Sequence, residues 1–303
     1  MEANRIIQGR SIGVPDLELI RTLLAENPGW GRTRLSEELC ELWGWRTASG
    51  HPKEMACRTL LRKLDSGGLI ALPAPRRPAN NELRNRKRPG VAHETDPIEV
   101  ALRDLTPLHV TVVESRGPDF DLFGCLLDKY HYLGHRSCVG ENQKYLIRDR
   151  RGRPLCCLLF GSSAWTTKAR DEFIGWDRQQ RLERLQWVTN NTRFLILPWV
   201  QVRNLASHVL RLICRRIRRD WLEKYGHPVS LLETFVDHSR FSGTCYRAAN
   251  WQHLGCSTGR TRNSRKWGAN VPSKGIYVYP LVREFRRELR DGSEERFAER
   301  PGR

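Results

Sequence analysis

Four side chains able to take part in proton transfer, metal binding or nucleophilic attack lie close together in the stretch 233–251. Glu233 and Asp237 flank the exit of an apolar, strand-like run, and His238 and Tyr246 follow them. Carboxylates and histidine act as general bases or bind metal ions, and tyrosine can act as a nucleophile. This composition predicts a catalytic site, with Glu233 and Asp237 as the ligands of a divalent metal ion.

A structural interpretation of the same residues stays open. Glu233 and Asp237 can form ion pairs with arginines that only support the fold, because structural ion pairs also use buried carboxylates. Tyr246 to Trp251 has the composition of a short packed helix. The stretch therefore predicts either a reaction centre or a piece of the core.

Further polar groups lie outside this stretch, next to aromatic or strand-like residues. The segments 170–176 and 190–193 can line a cleft together with the carboxylates. The loop 255–266 is rich in small and basic residues, and its Arg260 and Arg262 have guanidinium groups suited to phosphate contact. A surface loop without a ligand is the alternative interpretation of that segment.

The charge balance indicates nucleic acid as a partner. The 303 residues include 52 Lys and Arg against 34 Asp and Glu, a formal net charge of +18. Most of the basic residues are arginines, whose planar fork pairs with phosphate and with guanine edges. A charge that serves only solubility is the alternative.

Apolar stretches and cysteines indicate the cellular setting. No run approaches the roughly 18–20 apolar residues of a membrane span, and the first ten residues contain no apolar leader segment. We therefore expect a soluble, cytoplasmic protein with no membrane partner. The nine cysteines include no C-x-x-C pair and most lie in apolar runs, which predicts buried free thiols rather than zinc ligands or disulfides.

The first 75 residues predict a winged-helix DNA-binding domain. Two amphipathic helices, around Leu17–Leu24 and Leu35–Leu42, precede a third helix that begins after Pro52, and Leu69–Leu72 is strand-like. In a winged helix the third helix enters the major groove. The predicted DNA-binding residues on this helix are Lys53, Arg58, Arg62 and Lys63. An ordinary helical bundle with a solvated basic face is the alternative.

Two segments flank the larger part of the chain and have linker or tail composition. Residues 76–96 are rich in proline and arginine, which predicts an extended linker that can lie along a DNA backbone or act only as a spacer. Residues 284–303 form a charged tail in which a frayed helix is expected. The domain prediction is therefore 1–75, linker 76–96, main domain 97–283 and tail 284–303.

The main domain has the alternating pattern of an α/β or α+β fold with a mixed sheet. Its clearest helix is expected over Leu205–Lys224, where apolar residues recur at helical spacing from Ala206 to Trp221. A hairpin is expected from the strands 145–147 and 155–160. The other predicted elements are strands at 108–114, 194–200, 229–236 and 276–281, and helices at 120–130 and 245–250.

This order of elements resembles the acyltransferases of the GNAT fold. In that family the turn from a strand into a helix contains a Gln/Arg-x-x-Gly-x-Gly/Ala motif, whose backbone amides hold the pyrophosphate of coenzyme A. The matching turn here offers Gln201, Asn204 and Ala206 as cofactor-binding residues. Asn204 replaces the middle glycine of the motif, which counts against coenzyme A as a cofactor.

Seven short segments between about residues 30 and 283 together resemble one known protein family. The segments are Gly44–Arg46, Lys53–Arg58, Tyr132–Gly134, Phe194–Val200, Leu205–Ser207, Glu233–Trp251 and Tyr277–Leu281. The family they resemble is that of the Druantia anti-phage system protein DruA, which includes many transposase-like members. The resemblance implies defence or mobile-element biology and DNA as a partner.

Three functional hypotheses follow from these features. The first is a DNA-binding protein of a mobile element or an anti-phage defence system, with transposase or nuclease activity on DNA strands and a defence-system partner such as a helicase. The second is a GNAT-like acyltransferase targeted to DNA. The third is a non-catalytic DNA-binding adaptor that has the fold without the cofactor, since a fold does not determine a function. Whether the chain is an enzyme is left open by the sequence.

Overall fold

The computed structural model of the chain describes residues 5–47, 50–74, 90–135, 138–259 and 272–292. The chain divides into two compact units, Met1–Asn85 and Arg86–Arg303, and each has a hydrophobic core of its own. The division falls within the predicted linker 76–96, of which residues 76–89 lie outside the described ranges.

The smaller unit contains a two-stranded antiparallel sheet followed by three helices. Its third helix buries Cys57, Leu60, Leu61 and Leu64, which recur at the spacing of one helical face. The elements are β1 (Arg5–Ile7), β2 (Arg10–Ile12), α1 (Val14–Glu26), α2 (Arg32–Leu42) and α3 (Glu54–Ser66). The three predicted helices are confirmed, whereas the winged-helix assignment stays a prediction.

The prediction of a strand at Leu69–Leu72 is wrong, because other groups form hydrogen bonds with the backbone of this segment. The Leu69 amide donates to the carbonyl of Leu64 at the end of α3, and the side chain of Arg21 donates to the Leu69 carbonyl. The Leu72 amide donates to the carboxylate of Asp65 at 3.0 Å. These local contacts leave no ladder for a strand partner. Strands β1 and β2, which the sequence pattern did not predict, are joined at Gln8 and Gly9, both with positive φ.

The larger unit contains seven strands and seven helices among its described residues. The strands are β3 (His109–Val112), β4 (Gln143–Arg148), β5 (Pro154–Ser162), β6 (Val188–Ile196), β7 (Leu231–Asp237), β8 (Gln252–Cys256) and β9 (Lys274–Pro280). The helices are α4 (Leu102–Leu105), α5 (Pro118–Tyr130), α6 (Lys168–Ile174), α7 (Arg178–Arg184), α8 (Leu205–Tyr225), α9 (Thr244–Ala248) and α10 (Phe285–Asp291).

The strands form one mixed sheet in the order β3-β4-β5-β6-β7-β9-β8. Neighbouring strands are antiparallel except β6 and β7, which are parallel. The parallel pair needs a crossover connection, which α8 supplies between the end of β6 and the start of β7. The predicted fold class, a mixed α/β unit with a large mixed sheet, is therefore confirmed.

Helix α8 holds the core of the larger unit together. Its residues Leu210, Ile213, Ile217 and Trp221 are buried in a cluster with the central strands, as the apolar stripe predicted. The buried carboxylate of Asp220 accepts a hydrogen bond from the hydroxyl of Tyr145 on β4 at 2.9 Å. Among the described helices, none is long and apolar enough to cross a lipid bilayer.

The sequence patterns did not predict α4, α6, α7 or β8. Helix α4 contains four residues and helices α6 and α7 contain seven each, too few for a helical period to stand out. The first turn of α7 is stabilised by a capping box, in which the Asp177 carboxylate accepts the Gln180 amide. Strand β8 is a short edge strand whose pairing with β9 shifts register between His253 and Cys256. An irregular pairing of this kind hides the alternation that marks a strand.

Candidate functional site

The two parallel strands of the sheet, β6 and β7, separate after three paired positions. The paired residues are Val188, Thr189 and Asn190 of β6 with Leu231, Leu232 and Glu233 of β7. Beyond this point the two strands continue without pairing with each other. Strand β6 runs on to Ile196 and β7 to Asp237. A space bounded by the two strands therefore opens beyond Asn190 and Glu233.

An irregularity in β6 explains this divergence. Leu159 of β5 faces Arg193, whereas the next residue, Phe160, faces Asn191, so that Thr192 is an extra residue in β6. Such a bulge bends its strand and increases the local twist. The side chain of Asn191 stabilises the bulge, since its Nδ2 donates to the carbonyls of Leu159 and Arg193 at 3.2 and 3.0 Å.

The space between the strands is a cleft of about 400 Å³. A cleft of this size suits a small organic ligand or part of a larger one. Its walls come from β6, β7, the start of α8, α9 and the segment after α5. Lining residues include Tyr130, His131, Tyr132, Asn191, Phe194, Ile196, Ala206, Thr234, Asp237, Phe241 and Tyr246.

Exposed aromatic rings lie among the residues of this cleft. The rings of Tyr132 and Phe241 are 5.6 Å apart, and 41% and 52% of these residues is exposed. The guanidinium of Arg240 lies over the Tyr132 ring at 5.1 Å from its centroid. The His131 ring stacks on the same Tyr132 ring, with the two centroids 4.9 Å apart. Rings and cations in this arrangement offer stacking surfaces to a flat ligand.

Of two titratable groups of the cleft, one is neutral and the other is negatively charged at neutral pH. Burial, together with the nearby Arg193, lowers the pKa of His131 to about 4, so its imidazole is neutral. Its Nδ1 accepts the amide hydrogen of Leu133 at 3.2 Å, as a neutral ring can. Hydrogen bonds from the hydroxyl and amide of Ser239 hold the pKa of Asp237 below its usual value, so this carboxylate is ionised.

Tyr246 faces the cleft with a phenol that stays protonated. Its hydroxyl donates to Oδ1 of Asn191 at 2.7 Å, and burial raises its pKa well above the usual value for tyrosine. A nucleophilic tyrosine needs a phenolate or a base to remove its proton. The carboxamide of Asn191 is not such a base, so Tyr246 in this arrangement anchors α9 to β6.

Glu233 lies behind the cleft in a buried ion pair. Its Oε1 accepts the amide of Ala164 at 2.6 Å, and its Oε2 accepts Nη1 of Arg170 at 2.9 Å. Neither Glu233 nor Arg170 is exposed to solvent. Burial raises the pKa of Glu233, and the positive charge of Arg170 opposes that rise. The structure thus gives Glu233 a contact with α6, whereas Asp237 lines the cleft.

Comparison with known protein families gives one decisive match. A model of the family described as Druantia protein DruA matches residues 63–266, more than half of the chain. The chain belongs to this family. The match confirms the resemblance inferred from the sequence segments, and it includes all the strands of the larger unit up to β8. No curated protein sequence matches this DruA-family chain.

Three solved structures show a distant likeness to the DruA-family chain. A Klebsiella pneumoniae protein assigned as an acyl-CoA N-acyltransferase has 12% sequence identity and a TM-score of 0.37, covering 58% of this chain and 99% of its own. Nourseothricin acetyltransferase has 9% identity and a TM-score of 0.35, covering 58% and 100%. Spermidine N-acetyltransferase from Vibrio cholerae, in complex with CoA and spermine, has 9% identity and a TM-score of 0.35, covering 56% and 94%. Sequence identities and TM-scores this low do not indicate an activity for the chain.

The predicted cofactor-binding residues of this DruA-family chain lie at the turn before α8. Asn204 is the N-cap of α8 and has φ of 64°, a left-handed conformation that asparagine tolerates. Gln201 and Asn204 are exposed, whereas Ala206 is half-buried and lines the cleft. The N-terminal turn of a 21-residue helix therefore borders the cleft.

The predicted DNA-binding residues fall into two groups. Lys53 is the N-cap of α3, and Arg58 on this helix donates to Glu54 at 3.2 Å. Arg62 and Lys63 are exposed on the outward side of α3. The other two predicted contacts, Arg260 and Arg262, lie outside the described residues.

The sequence predicted some residues of the cleft and not others. It placed residues 190–193 in a cleft with the carboxylates, and the structure brings Asn191, Thr192 and Asp237 to the same walls. It gave no role to His131, Tyr132 or Phe241. An exposed aromatic pair next to basic residues is the only signal that these positions contain, and exposure cannot be read from sequence.

Proposed function

We propose that this chain binds DNA as part of an anti-phage defence system, with α3 of the smaller unit as the contacting helix. The observation behind the proposal is the division of α3 into two faces. One face is buried through Leu60, Leu61 and Leu64, and the other presents exposed Arg62 and Lys63. An α-helix fits the major groove, and exposed guanidinium groups pair with phosphates and guanine.

Family membership and charge support the same proposal. The DruA family is an anti-phage family, and a formal net charge of +18 favours an anionic polymer as the ligand. A second protein of the defence system, such as a helicase, is the partner that we propose for the bound state. The proposal covers binding and not strand cleavage, because fully buried Glu233 offers no oxygen to a metal ion held at DNA.

The test is a salt series with labelled duplex DNA and the full chain. Arg62→Ala is expected to weaken binding and to reduce the slope of log affinity against log salt by about 1, the value for one phosphate contact. Arg290→Ala removes an exposed arginine from α10 in the larger unit and serves as the matched control. Equal affinities and slopes for wild type and Arg62→Ala would refute the assignment of α3.

A second candidate function is binding of an acyl-coenzyme A in the cleft of the larger unit. The observation that favours it is the divergence of β6 and β7 beside the N-terminus of α8. The free amides and the dipole of a helix N-terminus bind anions such as a pyrophosphate, and the apolar side chains of Phe194 and Ile196 suit the thioester arm. The proposed role of the cleft is to hold this ligand for acyl transfer.

Calorimetric titration of the full chain with coenzyme A tests this candidate. Ala206→Glu introduces a negative charge into the first turn of α8, where it favours the helix but repels a pyrophosphate. We expect the affinity to fall by about 10-fold or more, since like charges about 4 Å apart repel by more than 1 kcal/mol. Ala101→Glu places the same charge before α4, at an exposed position away from the cleft. This candidate function is refuted if the wild type binds no coenzyme A, or if Ala206→Glu and Ala101→Glu bind coenzyme A with equal affinity.

A further inference from the structure

A cluster of three metal-binding side chains lies at one edge of the large sheet, and one of them belongs to the stretch 233–251 that the sequence singled out. The side chains are those of His238, His253 and Cys256. One ligand atom from each lies within 4.8 Å of the other two, and all three residues are exposed. We propose that these residues form a binding site for a zinc ion.

The irregular pairing of β8 with β9 brings two of the ligands to the same face. In a regular strand, residues three apart point to opposite faces of the sheet. Here His253 faces Tyr277 and Cys256 faces Gly275, so that three steps along β8 match two steps along β9. Gly255 absorbs the extra residue with φ of 109°. The bulge therefore returns Cys256 to the face of His253.

The third ligand, His238, occupies a place that only a glycine at position 275 leaves open. A Cβ atom on Gly275 would lie 2.1 Å from Nε2 of His238, far inside van der Waals contact. Because Gly275 is the β9 partner of Cys256, Nε2 of His238 is held over the same part of the sheet as the cysteine. Ring contacts at 5.9 Å place His238 edge-on to His253.

The hydrogen bonding of His238 selects the tautomer that a metal ligand needs. Its Nδ1 lies 3.3 Å from the carbonyl oxygen of Phe241. A carbonyl can only accept, so Nδ1 is the donor in this contact, which leaves Nε2 as the ring nitrogen for a metal ion. Metal-bound histidines commonly donate their other ring hydrogen to a backbone carbonyl, which fixes the ring orientation.

The donor set matches zinc better than the hard cations. Two imidazole nitrogens and a thiolate suit zinc, whereas magnesium and calcium prefer oxygen ligands. Bonds of about 2.0–2.3 Å at tetrahedral angles place ligand atoms roughly 3.5 Å apart, so the exposed side chains need to close by only about 1 Å. Of the nine cysteines, all within the described ranges, Cys256 alone is exposed.

Three protein ligands leave a fourth position on the ion. Cys256 also lines a second cleft, of about 570 Å³, together with Thr166, Asn190 and Lys274. The ion lies at the edge of this cleft, and its fourth position is open to water or to a ligand bound there. The site also ties the segment after β7 to the β8–β9 pair.

The proposal is tested by metal content and by titration of the full chain, stripped of metal with a chelator. We expect one zinc ion per chain in the reloaded protein. Loss of an outer partner of a ligand costs roughly 10- to 100-fold in metal affinity, so His253→Ala and Cys256→Ser are each expected to cost roughly 100-fold or more. The control His109→Ala removes an exposed histidine from β3, at the other edge of the sheet, and should leave the affinity unchanged.

Cobalt substitution gives a readout that a structural role of these residues would not change. Bound Co²⁺ is expected to show a thiolate-to-metal charge-transfer band in the wild type and in His109→Ala, and to lose that band in Cys256→Ser. Far-UV circular dichroism of the metal-free variants checks that each is folded. Zinc binding below one ion per chain, or a cobalt spectrum unchanged in Cys256→Ser, would overturn the proposal.

Discussion

Replacing Arg170 by methionine is expected to lower the free energy of unfolding by about 3–5 kcal/mol, the cost of leaving one buried charge without its partner. Arg170 is fully buried and donates to Oε2 of Glu233 and to the carbonyl of Ala164. It also donates to the carboxylate of Asp171 from both Nε and Nη2. Its removal therefore leaves the Glu233 carboxylate sealed in the core with only the Ala164 amide as a donor.

Urea unfolding of the wild type and variants measures this loss. The matched control is Lys168→Met on the same helix, which removes the exposed ion pair with Glu172. We expect less than 1 kcal/mol for that variant, because exposed ion pairs contribute little. The double variant Arg170→Met with Glu233→Gln should lose less than the sum of the single variants, since neither charge is then stranded. A cost for Arg170→Met as small as that for Lys168→Met would contradict the buried pair.

Replacing Asn191 by alanine is expected to lower the free energy of unfolding by about 2–4 kcal/mol. The side chain of Asn191 supplies both donors that hold the β6 bulge and the acceptor for the hydroxyl of Tyr246. Alanine leaves that buried hydroxyl without its acceptor at position 191. The bulge also loses the contacts to the carbonyls of Leu159 and Arg193 that keep β6 turned away from β7.

A double-mutant cycle with Tyr246→Phe separates the two parts of this effect. If the hydroxyl bond is the main contribution, Asn191→Ala should cost distinctly less in the Tyr246→Phe background than in the wild type. Heteronuclear NMR shifts of β6 amides report the bulge itself, and we expect them to move in Asn191→Ala but not in Tyr246→Phe. Additive costs in the cycle would show that the two side chains do not interact.

Local patterns in the sequence predicted the elements that span several periods. The stripe from Ala206 to Trp221 predicted α8, and the two strand-like runs 145–147 and 155–160 predicted the β4–β5 hairpin. The family was also predicted from short segments and is confirmed. Short elements escaped, because α6 and α7 contain two turns each and because β8 is broken by a bulge.

The candidate site depended on contacts that no local pattern encodes. Glu233 and Asp237 are equally carboxylates in the sequence, yet one is sealed against Arg170 and the other lines a cleft. The pairing partner of Glu233 lies 63 positions away along the chain. The proposed zinc ligands also meet only through such long-range contacts. The sequence has no C-x-x-C pair, and this absence had counted against a zinc site.

The sequence by itself determined the helices of the smaller unit, the mixed α/β class of the larger one, the basic charge and the family, because these depend on composition and on spacing along one element. Only the tertiary structure decided where β6 and β7 separate, which carboxylate faces the cleft, and that His238, His253 and Cys256 meet. Those outcomes depend on one extra residue in β6 and another in β8, since a single inserted residue reverses the face to which every following side chain points.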